Sequence, residues 1–142
     1  ERPIILENAT YYHTPETKMD ESDFIRLILE SSGAQLLLDV NNVYVNSQNH
    51  NFDPHAFITA MPTDRIAYLH IAGHWCREDD WIIDTHGMPV CHAVWQLLDA
   101  TLAQHPRPVL LERDNHIPPF EEIMSEFHEL EQRYQTSLAH AA

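Results

Sequence analysis

The chain has 142 residues with 44% hydrophobic content, enough for one compact core and too apolar for a disordered segment. Its 8 basic and 22 acidic residues leave a net charge of −14, which repels phosphate backbones and anionic lipids, so nucleic acid and membrane surfaces are unexpected partners. No apolar run approaches the ~20 residues that span a bilayer, no signal-peptide pattern opens the chain, and Cys76 and Cys91 are too few for a disulfide framework, so a cytoplasmic protein is expected.

The first apolar run is residues 3–7 (PIILE). Asp20 or Ser22 then caps a predicted helix whose apolar positions Phe24, Ile25, Leu27, Ile28 and Leu29 lead to a stop at Gly33. A second run follows at 35–39 (QLLLD), then a short helix over 54–60 with proline in its first turn, and a third run at 66–70 (IAYLH). Residues 90–104 read as a helix with Val94, Trp95, Leu97, Leu98 and Leu102 apolar. The fourth run is 108–112 (PVLLE), and a last helix starts near Pro119 with Phe120, Ile123, Met124, Phe127, Leu130 and Tyr134 on one stripe. All four runs are apolar without alternation, the pattern of a parallel strand buried on both faces.

The order is βαβαβαβα, and strands starting at 3, 35, 66 and 108 are spaced as successive βα units. An open doubly wound sheet and part of a barrel both satisfy it. Three glycines leave no glycine-rich phosphate loop, and a whole (β/α)8 barrel takes roughly 250 residues. Four units therefore make half of a barrel. No linker or low-complexity stretch divides the chain, so residues 1–142 are expected to be a single domain. The chain opens on Glu1-Arg-Pro-Ile rather than methionine and runs almost directly into a strand, so it is expected to be a piece of a larger protein.

Each predicted strand ends on a residue able to bind a metal: Glu7, Asp39, His70 and Glu112. Strand C-termini converge on the active-site face of a barrel. A single polar strand end needs no function; four in four strands point to a site. In the loop after the second strand Asn42 follows Asp39 by three positions, close enough to face the same ion. Beyond the third strand, Asp84-Thr-His86 puts a carboxylate and an imidazole on one side of an extended segment. Eleven histidines among so many acids fit the same chemistry, and carboxylates with neutral imidazoles suit Fe, Mn or Zn. His74 reads as a ligand, a donor to a ligand or a plain polar group. Arg113 and Asp114 follow Glu112 and either contact substrate or steady the ligands. His50 and His55 read as loop and capping residues, and His92, His105, His128 and His140 as solvent-facing helix positions. Glu121, Glu122, Glu126, Glu129 and Glu131 read as a solvated helix face.

The segments Ile5-Leu-Glu-Asn-Ala-Thr10, Leu37-Leu-Asp-Val-Asn-Asn-Val-Tyr44, Leu69-His-Ile-Ala-Gly-His74, Asp84-Thr-His86 and Leu110-Leu-Glu-Arg-Asp114 together resemble the multinuclear non-heme iron-dependent oxidative enzymes, the bacterial family of the methanobactin biosynthesis oxygenase. The resemblance runs from Arg2 to about Glu131, and the ligand order is similar more broadly to the xylose isomerase-like barrels, including the endonuclease IV type. It implies an α/β fold that is the C-terminal half, four βα units, of a xylose isomerase-like TIM (β/α)8 barrel. It implies two or three iron ions held in the full-length protein by Glu7, Asp39, Asn42, His70, Asp84, His86 and Glu112, with His74 and Asp114 as catalytic helpers. It further implies oxidation of cysteine in a ribosomally made peptide with O2, and a partner protein that recognises the peptide. Family members take more histidine ligands from earlier strands, which this chain lacks, so its site is expected to be incomplete and inactive alone. The rival readings are a zinc or manganese hydrolase, endonuclease or sugar isomerase on the same barrel, and a non-catalytic half-barrel. Exposed sheet edges would make a truncated chain a homo-oligomer.

Overall fold

A computed structural model gives the fold over residues 2–13 and 18–141. The elements are β1 (Ile5–Glu7), α1 (Glu21–Ser32), β2 (Gln35–Asp39), α2 (Val40–His50), α3 (Pro54–Ala60), β3 (Ile66–Ile71), β4 (Trp75–Cys76), β5 (Ile82–Ile83), α4 (His92–Gln104), β6 (Val109–Leu111) and α5 (Phe120–Ala141). One sheet takes the order β1-β2-β3-β6 with every pairing parallel, and β4 and β5 form a separate antiparallel hairpin. A parallel sheet in chain order with helical connections is an α/β arrangement compatible with half of a TIM-barrel-like fold.

The inner strands meet the expectation of burial on both faces, and the outer ones do not. In β2, Leu36, Leu37, Leu38 and Asp39 are all buried, as are Ile66, Leu69, His70 and Ile71 of β3. Ile5 and Leu6 of β1 and Leu110 of β6 are exposed, because those strands border the sheet. The core lies between the inner strands and the helices: Leu36, Leu38, Leu69 and Ile71 pack with Leu29, Ile58, Val94, Leu98 and Leu102. Burying such a side chain stabilises the fold by about 1.5–3 kcal/mol.

Local chemistry explains most of the helix ends. Asp20 takes the N-cap position of α1 with Glu21 and Asp23 in the first turn, where negative charge suits the helix dipole. At the other end Gly33 is left-handed, φ 72°, and its N–H returns to the Leu29 carbonyl. Residues 40–50, read from sequence only as the loop after a strand, form α2. Asp39 caps it by accepting from the Asn42 N–H at 2.7 Å, and left-handed Asn51 ends it. His50 therefore closes a helix rather than lying in a loop. His105 also departs from expectation: it is buried past the end of α4, with its two ring nitrogens against the Thr63 hydroxyl and the Ile58 carbonyl. Glu126 is no solvated acid either, since it meets the half-buried Arg113 and accepts from the Val90 N–H.

Candidate metal centre

Parallel pairing sets the strand-end residues side by side. Asp39 and His70 are register partners across β2 and β3, and the Glu112 N–H donates to the Ile71 carbonyl at 2.9 Å, just past the end of β6. One donor atom each from Glu7, Asp39, His70 and Glu112 comes within 4.8 Å of the others. A second group, His86, Glu112 and Asp114, shares the Glu112 carboxylate. His70 Nδ1 lies 2.9 Å from Glu112 Oε2 and 3.9 Å from both Glu7 Oε1 and Asp39 Oδ2. His86 Nε2 lies 2.7 Å from Asp84 Oδ1, and its Nδ1 lies 3.2 Å from Glu112 Oε2 and 3.6 Å from Asp114 Oδ2.

The longer of these contacts exceed hydrogen-bond distance, and the shorter ones leave the ring N–H groups poorly aligned on their acceptors. Asp39 Oδ2, Asn42 Oδ1, His70 Nδ1 and His86 Nε2 are buried and have no hydrogen-bond partner among the described residues. Buried polar atoms are normally satisfied, so the orphans of Asp39, His70 and His86, which approach one another from three chain segments, need an explanation. A cation supplies one: carboxylate and imidazole donors converge on it without pointing at each other. The residues present thus fit a divalent iron, manganese or zinc ion.

The electrostatics agree. Burial pushes Asp39 up to about 7, despite the Asn42 N–H that favours its charged form. Burial also raises Glu7, and the like charge of Glu112 adds to it. For His86, burial opposes the charged ring, but Asp84, Asp39 and Glu112 outweigh it and hold the group up to about 9. Without a cation Glu7, Asp39 and His86 hold their protons more tightly than usual, and a divalent ion would displace them.

A layer of asparagines and hydroxyls fixes these groups. Asn8 accepts from the Asp39 N–H at 2.8 Å and donates to the Asp39 carbonyl at 3.0 Å, extending the β1–β2 pairing with a side chain. Asn42 donates to the Asn8 carbonyl at 3.0 Å. Asp84 accepts from Asn41 Nδ2 at 2.8 Å and from the Thr10 hydroxyl at 3.1 Å, while its N–H donates to the Tyr12 hydroxyl. His86 is itself left-handed, φ 46°, a conformation kept because its carbonyl receives the Asp114 N–H at 2.9 Å. Gly73 leaves no space for a Cβ against the Met88 and Pro89 carbonyls, so the 84–90 loop rests directly on the chain after β3.

Every residue predicted for the site lies in this region, with differing roles. Glu7, Asp39, His70 and Glu112 form one group; His86 and Asp114 join Glu112 in the other, so Asp114 stands among the donors rather than only beside them. Asp84 contacts His86, and Asn42 sits in the first turn of α2 with its oxygen unpaired. His74 is buried, stacked on Tyr44 and linked to Asp84 through Asn41; burial holds it below its ordinary value. Arg113 steadies the loop through Glu126. Sequence reasoning missed Asn8 and Asn41. Their one visible signal is that each directly neighbours a predicted ligand, Glu7 or Asn42, inside the quoted motifs. A cavity of about 980 Å³, an apolar groove between β1 and α1, touches the centre at Glu7.

Carboxylates and imidazoles gathered from successive parallel strand ends define an α/β protein with a metal-type acidic–histidine centre. The chain belongs to the family of the RiPP precursor modification enzymes MbnB/TglH/ChrH, whose profile matches residues 1–135. It is 54% identical over 127 residues to a UPF0276 protein of Shewanella amazonensis, covering 89% of this chain and 46% of the relative. UPF0276 proteins of Pseudomonas aeruginosa and Nitrosospira multiformis are also 54% identical, with 89% of this chain and 45% of each relative covered. The chain thus spans about half the length of the curated relatives it matches.

Proposed function

We propose that this protein is an iron-dependent oxidative enzyme that acts on a cysteine of a ribosomally made peptide. The observation that carries the reading is the convergence of buried, unbonded donors on Asp39, His70 and His86 around a shared Glu112. Family membership supplies the substrate class, a RiPP precursor. Glu7, Asp39, His70 and Glu112, with Asn42 adjoining Asp39, would hold one ion; His86, Glu112 and Asp114, with Asp84 adjoining His86, would hold a second. Bound iron supplies one-electron redox chemistry toward O2 and a coordination position for the cysteine sulfur.

The chain's own residues do the remaining work. The carboxylates neutralise cationic charge in a buried setting, where leaving it uncompensated would be costly. The bonds of Asn8, Asn41 and Thr10 hold the ligands in place before substrate arrives, which lowers the reorganisation needed at reaction. His74, kept neutral by burial, is suited to take the thiol proton. A partner protein that recognises the peptide, and histidines from the part of the relatives outside the match, complete the reading.

The test is elemental analysis of the whole protein purified without oxygen, beside an Asp84→Ala, His86→Ala double variant. More than one iron per chain, falling in the variant, supports the proposal. Zinc or manganese with little iron would instead point to a hydrolase or isomerase, and absence of metal would sink the metalloenzyme reading.

A further inference from the structure

Asn41 is fully buried in the first turn of α2, between two site residues that it bonds at once. Its Nδ2 donates to Asp84 Oδ1 at 2.8 Å, and its Oδ1 faces His74 Nδ1 at 2.8 Å. Chemistry fixes the direction of this chain of bonds. A carboxylate oxygen offers only lone pairs, so the amide NH2 faces Asp84 and the amide oxygen faces the imidazole. That oxygen accepts only, so the ring proton of His74 sits on Nδ1. A neutral imidazole carries one ring proton, which leaves a lone pair on Nε2. Nε2 makes no hydrogen bond to a described residue. Tyr44, stacked at 5.2 Å and 23°, holds the plane of the ring.

We infer that Asn41 is a positioning residue that bonds Asp84 and His74 at once and presents His74 as an Nδ1–H imidazole, its Nε2 free to accept the proton of a peptide cysteine. In that transfer the thiol proton moves to Nε2 and the sulfur keeps the electron pair as a thiolate. The resulting imidazolium retains its Nδ1–H bond to Asn41, whose other end rests on the Asp84 carboxylate. The identity of the proton donor rests on the function proposed above, whereas the tautomer does not.

The experiment is long-range 1H–15N correlation spectroscopy on the metal-free whole protein labelled with 15N-histidine, the His74 signals being assigned from a His74→Gln sample. The expected result is an Nδ1–H tautomer for His74. Asn41→Asp keeps an acceptor for Nδ1–H but sets a second carboxylate against Asp84, so the tautomer is retained. Asn41→Ala removes the acceptor, and His74 moves toward the Nε2–H form. Titration with cobalt(II) gives an independent readout: both variants are expected to bind about 10–100-fold more weakly, as when a ligand loses its supporting bond. An Nε2–H tautomer in the parent protein overturns the inference, as does an Asn41→Ala spectrum like the parent's or loss of the tautomer in Asn41→Asp. Should Asn41→Ala fail to fold, the parent and Asn41→Asp spectra decide the matter. A parent protein that binds no metal while showing the Nδ1–H tautomer defeats the proposed function and leaves the positioning role of Asn41 standing.

Discussion

Asp39 and His86 have opposite ordinary charges, yet the centre pushes both toward protonation, Asp39 to about 7 and His86 to about 9. A raised value in the folded state adds stability that is complete below the unfolded value and is lost as pH rises through the folded one. For Asp39 that window runs from 3.8 to about 7, but His74 and His105, both lowered by burial, oppose it there by losing stability as pH falls. The window from 6.5 to about 9 belongs to His86. The metal-free protein is therefore expected to melt at progressively lower temperature from pH 6.5 to 9. His86→Asn should flatten that slope, and added metal should reverse it by taking the place of the protons. Calorimetry with and without a chelator checks this; a melting point that is level or rising over that range would contradict it. At this scale the sequence was informative about ligands and silent about their supports. Glu7, Asp39, His70 and Glu112 were visible because they close apolar runs, whereas Asn8 and Asn41 act through pairings that appear only when β1, α2 and the 84–86 loop meet.

Among the elements, α2 shows what periodicity does not reveal. Its sequence, VNNVYVNSQNH, is rich in β-branched residues and asparagine, which are poor helix formers. The helix forms because Asp39 and Asn51 cap it and because its asparagines have tertiary partners. Asn46 joins Tyr11 and Ala9, and Asn49 holds both the N–H and the carbonyl of Ile82 in the hairpin. Asn49→Ala is expected to release that hairpin, seen as faster amide exchange at Ile82 with little change in global stability. The strands were legible because apolar runs of that length in a βα order have few other homes. Even so, burial on both faces held only for β2 and β3, since position within a sheet is not written in a strand's own residues. Gly73 offers a second test at this scale. A Cβ there meets the Met88 carbonyl, so Gly73→Ala should cost about 1–3 kcal/mol and lower metal content by displacing the loop of Asp84 and His86. Urea denaturation paired with metal analysis reads both effects. Leu98→Ala, in the centre of α4 and fully buried, should by contrast cost about 2–5 kcal/mol through a cavity.

For the whole molecule the order β1-β2-β3-β6 leaves β1 and β6 each bonded on one side only among the described residues, with Ile5, Leu6 and Leu110 exposed. Unpaired apolar strand edges recruit other chains. The 142-residue chain expressed alone is expected to associate, and a concentration-independent mass of 16.5 kDa by light scattering would refute this. No helix among the described residues is long and apolar enough to cross a membrane. Class and topology could be read from the spacing of the strands because each βα unit is local. Sheet closure was not legible, since it depends on residues distant in the chain, and neither was the identity of a metal ion, since the same ligand types serve iron, manganese and zinc.

Asp39 divides its two carboxylate oxygens between separate duties, Oδ1 capping α2 and Oδ2 left unpaired toward the histidines. That division has a consequence for inheritance. In a descendant that had abandoned the chemistry, Glu7 and Glu112 would be free to drift, because neither caps α1, α2, α3 or α4. Position 39 would still be held to residues that can cap, such as asparagine or serine. A lineage in which aspartate there has become asparagine while its neighbours have scattered would be the fossil of a lost metal site on a surviving fold.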